Sequence, residues 1–172
     1  MCGPAGKVDR IPRERVENMK LSVAADHRGF QAKERMKAFL AELGHEAKDF
    51  GTDSPKPYDY PDSGYPAAKA VVEGQVERGI LFCGTGIGMS LTANKVRGIR
   101  AALCHDEVSV DMARRHNDAN ILCLPADLLG EKQMMQIIRI FLEAPFDGGR
   151  HLRRINKLIQ IEKEQNSEAS GP

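Results

Sequence analysis

The chain has 172 residues, enough for one α/β domain with tails. Its 25 lysines and arginines nearly balance 24 aspartates and glutamates, and the net charge of +1 removes any global footprint for nucleic acid or an anionic membrane. Apolar runs are no longer than a strand, so no membrane span is expected, and Cys2, Cys83, Cys104 and Cys123 form no C-x-x-C pair, which argues against a zinc knuckle or disulfide framework and for a reducing cytoplasm.

Residues 1–18 are polar, carry Gly3, Pro4, Gly6 and Pro12, and lack the apolar core of a signal peptide; a disordered extension is expected. Lys20 to Ala25 reads as the first strand, ending at Asp26-His27. A helix follows from Gly29, with Phe30, Met36, Phe39, Leu40 and Leu43 on its apolar face and Gly44 as its stop. His45 to Phe50 makes a more polar strand, expected at a sheet edge, with His45 exposed. Pro55, Pro57 and Pro61, with Tyr58 and Tyr60, predict an ordered loop over 51–64, and the second helix is expected from Tyr65 to Glu73.

Ile80 to Phe82 is a short apolar run that predicts a buried strand, closed by Cys83. Gly84-Thr85-Gly86-Ile87-Gly88 then leads into a helix ending near Asn94. Ile99 to Cys104 is the fourth strand, Asp106 caps a helix that closes near His116, and Ala119 to Leu124 is the fifth strand. A helix over Gly130 to Glu143 is broken by Pro145 and Gly148-Gly149. Leu152, Ile155, Leu158 and Ile159 then recur at helical spacing within Arg150 to Glu164. That helix comes after the domain looks complete, so it either covers a sheet face or packs on a second subunit. A disordered tail is expected over 165–172.

Strands alternating with helices predict a three-layer α/β/α sandwich around a five-stranded parallel sheet, Rossmann-like, over residues 19–164. Ligands bind such sheets at the carboxyl ends of the strands, where the winding reverses. If the first and third strands are neighbours there, Asp26-His27 and Cys83-Gly84 face one crevice.

The glycine loop after Cys83 is neither a P-loop, lacking the Lys-Ser/Thr ending, nor a G-x-G-x-x-G dinucleotide turn. A strand running into glycines and a helix N-terminus nevertheless favours an anion, because backbone N–H groups approach it and the helix dipole adds positive potential. A thiol at that mouth acts as base or nucleophile if its pKa is lowered; the plainer reading is a small buried hydrophobe. Thiol, anion loop and histidines at element ends together suggest proton abstraction next to a carbonyl, with no metal-ligand cluster visible.

Asp26-His27, Cys83 to Gly88, Ala93-Asn94-Lys95, Gly98 to Ala101, His116 to Asn120 and Gly148 to His151 occur in that order. Together they resemble the type B ribose-5-phosphate isomerases, in the family that includes the galactose-6-phosphate isomerase subunits. The resemblance implies an aldose–ketose isomerase of a sugar phosphate, working without metal or cofactor as a homodimer or dimer of dimers with shared sites. It implies Cys83 as the base and Gly84, Gly86, Ile87 and Gly88 as part of the anion hole. Thr85 and Asp26 would handle hydroxyl protons, His116 would open the furanose, and Asn117 would bind a hydroxyl. His27, Arg150 and Arg154 would hold the phosphate, and residues 150–164 would form the dimerisation helix. One departure concerns the phosphate end. The family often carries an arginine eleven positions after the histidine of His-Asn-Asp, and this chain has Asp127. Pairing of Asp127 with Arg150 or Arg154 is expected. The proline-rich loop also looks longer than usual. Alternatives are the same chemistry on another four- to six-carbon sugar phosphate, or a non-catalytic sugar-phosphate binder. Cys104 and Cys123 read as inert core thiols.

Overall fold

A computed structural model describes residues 18–169; most of the expected extension and the last three residues of the expected tail lie outside the described residues. The core strands β1 (Lys20–Ala25), β3 (Arg78–Cys83) and β5 (Ile121–Pro125) are buried along nearly their whole length, because helices cover both sheet faces. Side chains alternate between those faces. Leu21, Val23, Ala25, Ile80, Phe82, Leu122 and Leu124 pack against α1 (Phe30–Glu42), α4 (Glu107–Asn117) and α5 (Glu131–Glu143). Ala24, Leu81, Cys83, Ile121 and Cys123 pack against α2 (Tyr60–Val72) and α3 (Ile87–Ala93).

The sheet is five-stranded and parallel in the order β2-β1-β3-β5-β4. The polar β2 (Glu46–Asp49) is at one edge, as its composition suggested. At the other edge, β4 (Ala101–Leu103) is three residues long rather than the expected six, because pairing with β5 starts only at Ala101. Crossovers toward the β4 edge run through α2 and α3 on one face, and those in the opposite direction run through α1 and α4 on the other. One handedness of connection therefore produces both layers. At the carboxyl ends, β1 and β5 send their chain toward one face while β3, between them, sends its chain toward the other.

The proline-rich segment is shorter than the sequence suggested, since α2 begins at Tyr60 instead of Tyr65. Pro61 falls in the first helical turn, where its missing N–H has no intrahelical acceptor to lose. Pro66 lies inside the helix. Ser63 Oγ donates to the Ala25 carbonyl at 2.9 Å, tying that start to the end of β1. The loop before it is held from α1. Lys33, 1% exposed, donates from Nζ to both Asp49 carboxylate oxygens (2.6 and 2.7 Å) and to the Thr52 carbonyl (2.7 Å).

His45 is buried, contrary to expectation; its Nδ1 accepts the Met19 N–H at 3.2 Å, and burial lowers its pKa. Asp106 caps α4 as expected, accepting from the Ser109 N–H at 2.7 Å. The last helix, α6 (Gly149–Ala169), runs five residues past Glu164 and packs on α4. It buries His151 and Ile155 and leaves Leu152, Leu158, Ile159 and Ile161 exposed. No helix among the described residues is long and apolar enough to cross a membrane.

Candidate active site

The ends of β1 and β3 are adjacent: Ala25 pairs with Phe82, and the Asp26 N–H donates to the Phe82 carbonyl at 3.2 Å. Asp26, His27 and Cys83 therefore share one crevice. Gly29 makes this approach possible, because a Cβ there would lie 2.6 Å from the Phe82 carbonyl oxygen. Asp26 is buried, and its Oδ1 accepts the N–H groups of Arg28 (2.9 Å) and Gly29 (2.8 Å), which orders the turn into α1. His27 is half-buried. Its Nδ1 lies 3.2 Å from the Tyr58 carbonyl oxygen and 3.3 Å from the Tyr58 nitrogen, so the loop before α2 engages that nitrogen and Nε2 is turned away from the loop.

Cys83 ends β3 at 4% exposure. After it the chain turns sharply into α3. Gly86, the residue before that helix, has φ +73°, and a Cβ there would run into Leu103 and the Leu124–Pro125 backbone. Both conformation and space demand glycine. Gly88 lies under the Tyr60 ring, 3.0 Å from where its Cβ would be. Thr85 is exposed at the rim, its Oγ1 accepting from the Ile87 N–H at 3.4 Å. The first N–H groups of a helix have no intrahelical acceptor, so the loop presents donors where an oxyanion would sit. The other two described thiols behave as expected of core residues. Burial pushes Cys104 up to about 11 and raises Cys123 well above its ordinary value.

Asp127 pairs with an arginine, but the partner is Arg28 rather than Arg150 or Arg154. The two meet because the β5–α5 turn is fastened beside the loop: the Ala126 N–H donates to the Cys83 carbonyl at 2.9 Å and the Asp127 N–H to the Gly84 carbonyl at 3.0 Å.

His116, Asn117, Arg150 and Arg154 do not join this crevice within one chain. α4 leaves the carboxyl end of β4 and returns to the amino end of β5, placing His116 about 14 Å along the helix at 1.5 Å per residue. Just beyond, the Asn120 carbonyl accepts the N–H of Gly79, near the amino end of β3 and four residues from Cys83. The helix end is fixed by Asp118, whose φ is +44°. Its carboxylate accepts from Arg114 Nη1 at 2.9 Å and Arg100 Nη2 at 2.8 Å, while Arg100 Nε also donates to the Asn117 carbonyl at 2.9 Å.

His151 stacks on His116, ring centroids 4.1 Å apart and planes 5° from parallel. Burial lowers the His151 pKa, and the nearby His116, Arg150 and Arg154 side chains lower it further. His116, Asp147 and His151 bring one potential metal ligand each within 4.8 Å of one another. They do not suit a chelate: stacked rings point their lone pairs side by side, and Arg150 Nε donates to His151 Nε2 at 3.3 Å. Sequence reading assigned no role to Arg28, Arg100 or His151, although Arg100 and His151 lie inside stretches that carried the resemblance.

Residues 21–158 match the model of the Ribose/Galactose Isomerase family. Ribose-5-phosphate isomerase B of Escherichia coli is 40% identical over 86% of this chain and 99% of its own. The solved Clostridium thermocellum ribose-5-phosphate isomerase B is 45% identical, with a TM-score of 0.84 over 86% of this chain and 99% of that one. The Mycoplasma genitalium ribose-5-phosphate isomerase B, solved with bound ribulose 5-phosphate, is 38% identical, with a TM-score of 0.81 over 84% of this chain and 97% of that one. With the fold, the glycine loop and the sequence all in agreement, the chain belongs to the ribose/galactose isomerase family.

Proposed function

We propose that the protein interconverts ribose 5-phosphate and ribulose 5-phosphate through an enediolate, with Cys83 as the base. One observation carries this reading: a buried thiol at the end of β3, opening onto a glycine loop beside Asp26 and His27 at the end of β1. The ribulose 5-phosphate bound to the Mycoplasma genitalium relative supports the choice of sugar.

His116 protonates the ring oxygen while Asp26 and Thr85 manage the anomeric hydroxyl proton, giving the open aldose. The Cys83 thiolate takes the C2 proton; the electron pair forms the C1–C2 double bond and O1 becomes an oxyanion. Backbone N–H groups from Gly84 to Gly88 hold that charge, each such donor contributing about 3 kcal/mol. A proton passes from O2 to O1, the C2 carbonyl forms, and the thiol, its proton exchanging with solvent while the enediolate lasts, delivers a proton to C1.

A complete site needs a second copy of the chain. His116, Asn117, Arg150 and Arg154 lie at the opposite end of the sheet from Cys83, and α6 exposes Leu152, Leu158, Ile159 and Ile161. Leu158 and Ile161 also border an open cavity of about 400 Å³ between β4, α4 and α6, away from the thiol. A homodimer that buries this face brings one copy's histidine and arginines to the other's thiol. We assign the protein to the cytoplasm, where Cys83, Cys104 and Cys123 stay reduced.

Asp127 favours a second reading, the same chemistry on a different small sugar phosphate, because the phosphate end departs from the family's usual arginine. The test is conversion of ribose 5-phosphate in deuterated water. Ribulose 5-phosphate carrying solvent deuterium at C1 is expected. No conversion, with turnover of another sugar phosphate, moves the assignment to the second reading; conversion without deuterium uptake overturns the enediolate.

A further inference from the structure

Arg28 and Asp127 approach Gly84 from opposite sides of β3. A Cβ at Gly84 would lie 2.6 Å from Asp127 Oδ2 and 2.8 and 2.9 Å from Arg28 Nε and Cζ, so the ion pair sits directly on the first residue of the anion loop. Both backbones are fixed there. Asp26 Oδ1 accepts the Arg28 N–H at 2.9 Å, and the Asp127 N–H donates to the Gly84 carbonyl at 3.0 Å. The Arg28 side chain keeps 58% exposure and that of Asp127 35%. A guanidinium has five N–H donors in a rigid fork, and one carboxylate engages only part of them.

We propose that Arg28, oriented by Asp127, is a substrate-contacting residue that donates to the phosphate oxygens of the sugar phosphate, next to His27. The proposal rests on the reading of this crevice as a sugar-phosphate site. A carboxylate on the loop would repel a dianion, but here it is neutralised by the arginine it orients. The pair therefore offers directed donors with little net charge, and the phosphate charge is answered by His27 and by the arginines of α6 in a second copy. Delivery of the guanidinium from β1 also explains how a carboxylate is tolerated at position 127.

Calorimetric binding of inorganic phosphate and of ribose 5-phosphate tests this, with melting temperatures as a check on folding. Arg28→Ala is expected to weaken both affinities roughly tenfold or more. The Arg28→Ala/Asp127→Ala double variant is expected to stay weak, because the donors are absent although the repulsion is gone. Arg28→Ala/Asp127→Arg returns a guanidinium to the same spot from the β5 side and is expected to regain most of the affinity. An Arg28→Ala variant that binds phosphate like wild type overturns the proposal, leaving a surface ion pair. Wild-type affinity in the double alanine variant also overturns it, since Arg28 would then only neutralise Asp127. A well-folded swap variant with no recovery overturns the placement above Gly84. Inorganic phosphate binding needs no turnover, so the result is readable even if ribose 5-phosphate is not the substrate.

Discussion

The two ends of the sheet are built from different material. At the carboxyl end, the thiol and its loop are held by main chain: strand pairing of Ala25 with Phe82, and glycines at 29, 84 and 86 pressed against neighbouring atoms. At the amino end, the candidate groups are side chains on the ends of α4 and α6, positioned by an Asp118–Arg100–Arg114 cluster and by a histidine stack. On the proposed mechanism the difference follows from the work each end does. A base and an oxyanion hole must not move between ground state and transition state, and tightly packed backbone gives that rigidity. On the same proposal, groups that grip a phosphate and open a ring reach across a subunit boundary, which long side chains on an exposed helix can do.

The largest expected effect lies at the rigid end. Cys83→Ala should lower kcat by about 10²–10⁴ with ribose 5-phosphate binding retained, the range for a lost general base. Turnover close to wild type in that variant would remove the thiol from the chemistry. The gripping end should behave differently. Arg154→Ala is expected to raise KM roughly ten- to hundredfold with kcat little changed, as for a lost charge-assisted hydrogen bond. Mixing it with Cys83→Ala under subunit exchange should then regenerate one wild-type site in each mixed dimer. If exchange is demonstrated and no activity returns, the two ends do not meet across an interface.

The smallest effect concerns pH. Burial, with His116, Arg150 and Arg154 close by, holds His151 below its ordinary 6.5 despite the opposing pull of Asp147. Above 6.5 the ring is neutral both folded and unfolded and adds no pH dependence. As pH falls through 6.5 toward the lowered folded value, the unfolded chain takes the proton first, so stability declines. Denaturant melts between about pH 7.5 and about pH 5 should show a shallower decline in His151→Phe than in wild type. His45, also lowered by burial, keeps its own share in both proteins. An identical decline would mean that the stack does not exclude the charged ring.

The rigid end was the more legible in the sequence, for the same reason that it is rigid. Its parts lie in contiguous stretches, and strand, glycine loop and helix signals are local. Pairing of the first and third strands was enough to bring Asp26, His27 and Cys83 together. The Arg28–Asp127 contact is not readable, because its partners lie in turns after β1 and β5, which β3 separates, and no local rule links them. The expected pairing of Asp127 with an arginine had the right chemistry and the wrong partner. The sequence places Tyr60 in a loop because three prolines precede or follow it closely, although a proline in a first helical turn is no obstacle. The polar neighbours of His45 point to solvent, whereas the Met19 N–H gives its ring a buried partner.

The buried ammonium of Lys33 bears on how this protein is able to drift. It joins α1 to the edge strand and to the loop that carries Tyr58, and so indirectly steadies His27. Replacing Lys33 alone leaves the Asp49 carboxylate with Lys37 Nζ at 2.6 Å and the Gly51 N–H at 2.9 Å. Replacing Asp49 alone leaves a cation 1% exposed without its main counter-charge. Losing Asp49 costs about 3–5 kcal/mol, a large part of a small domain's total stability, whereas losing Lys33 costs less because Asp49 keeps Lys37. The route out of this arrangement is therefore one-sided: Asp49 is expected to persist for as long as Lys33 is present, while Lys33 is free to change first.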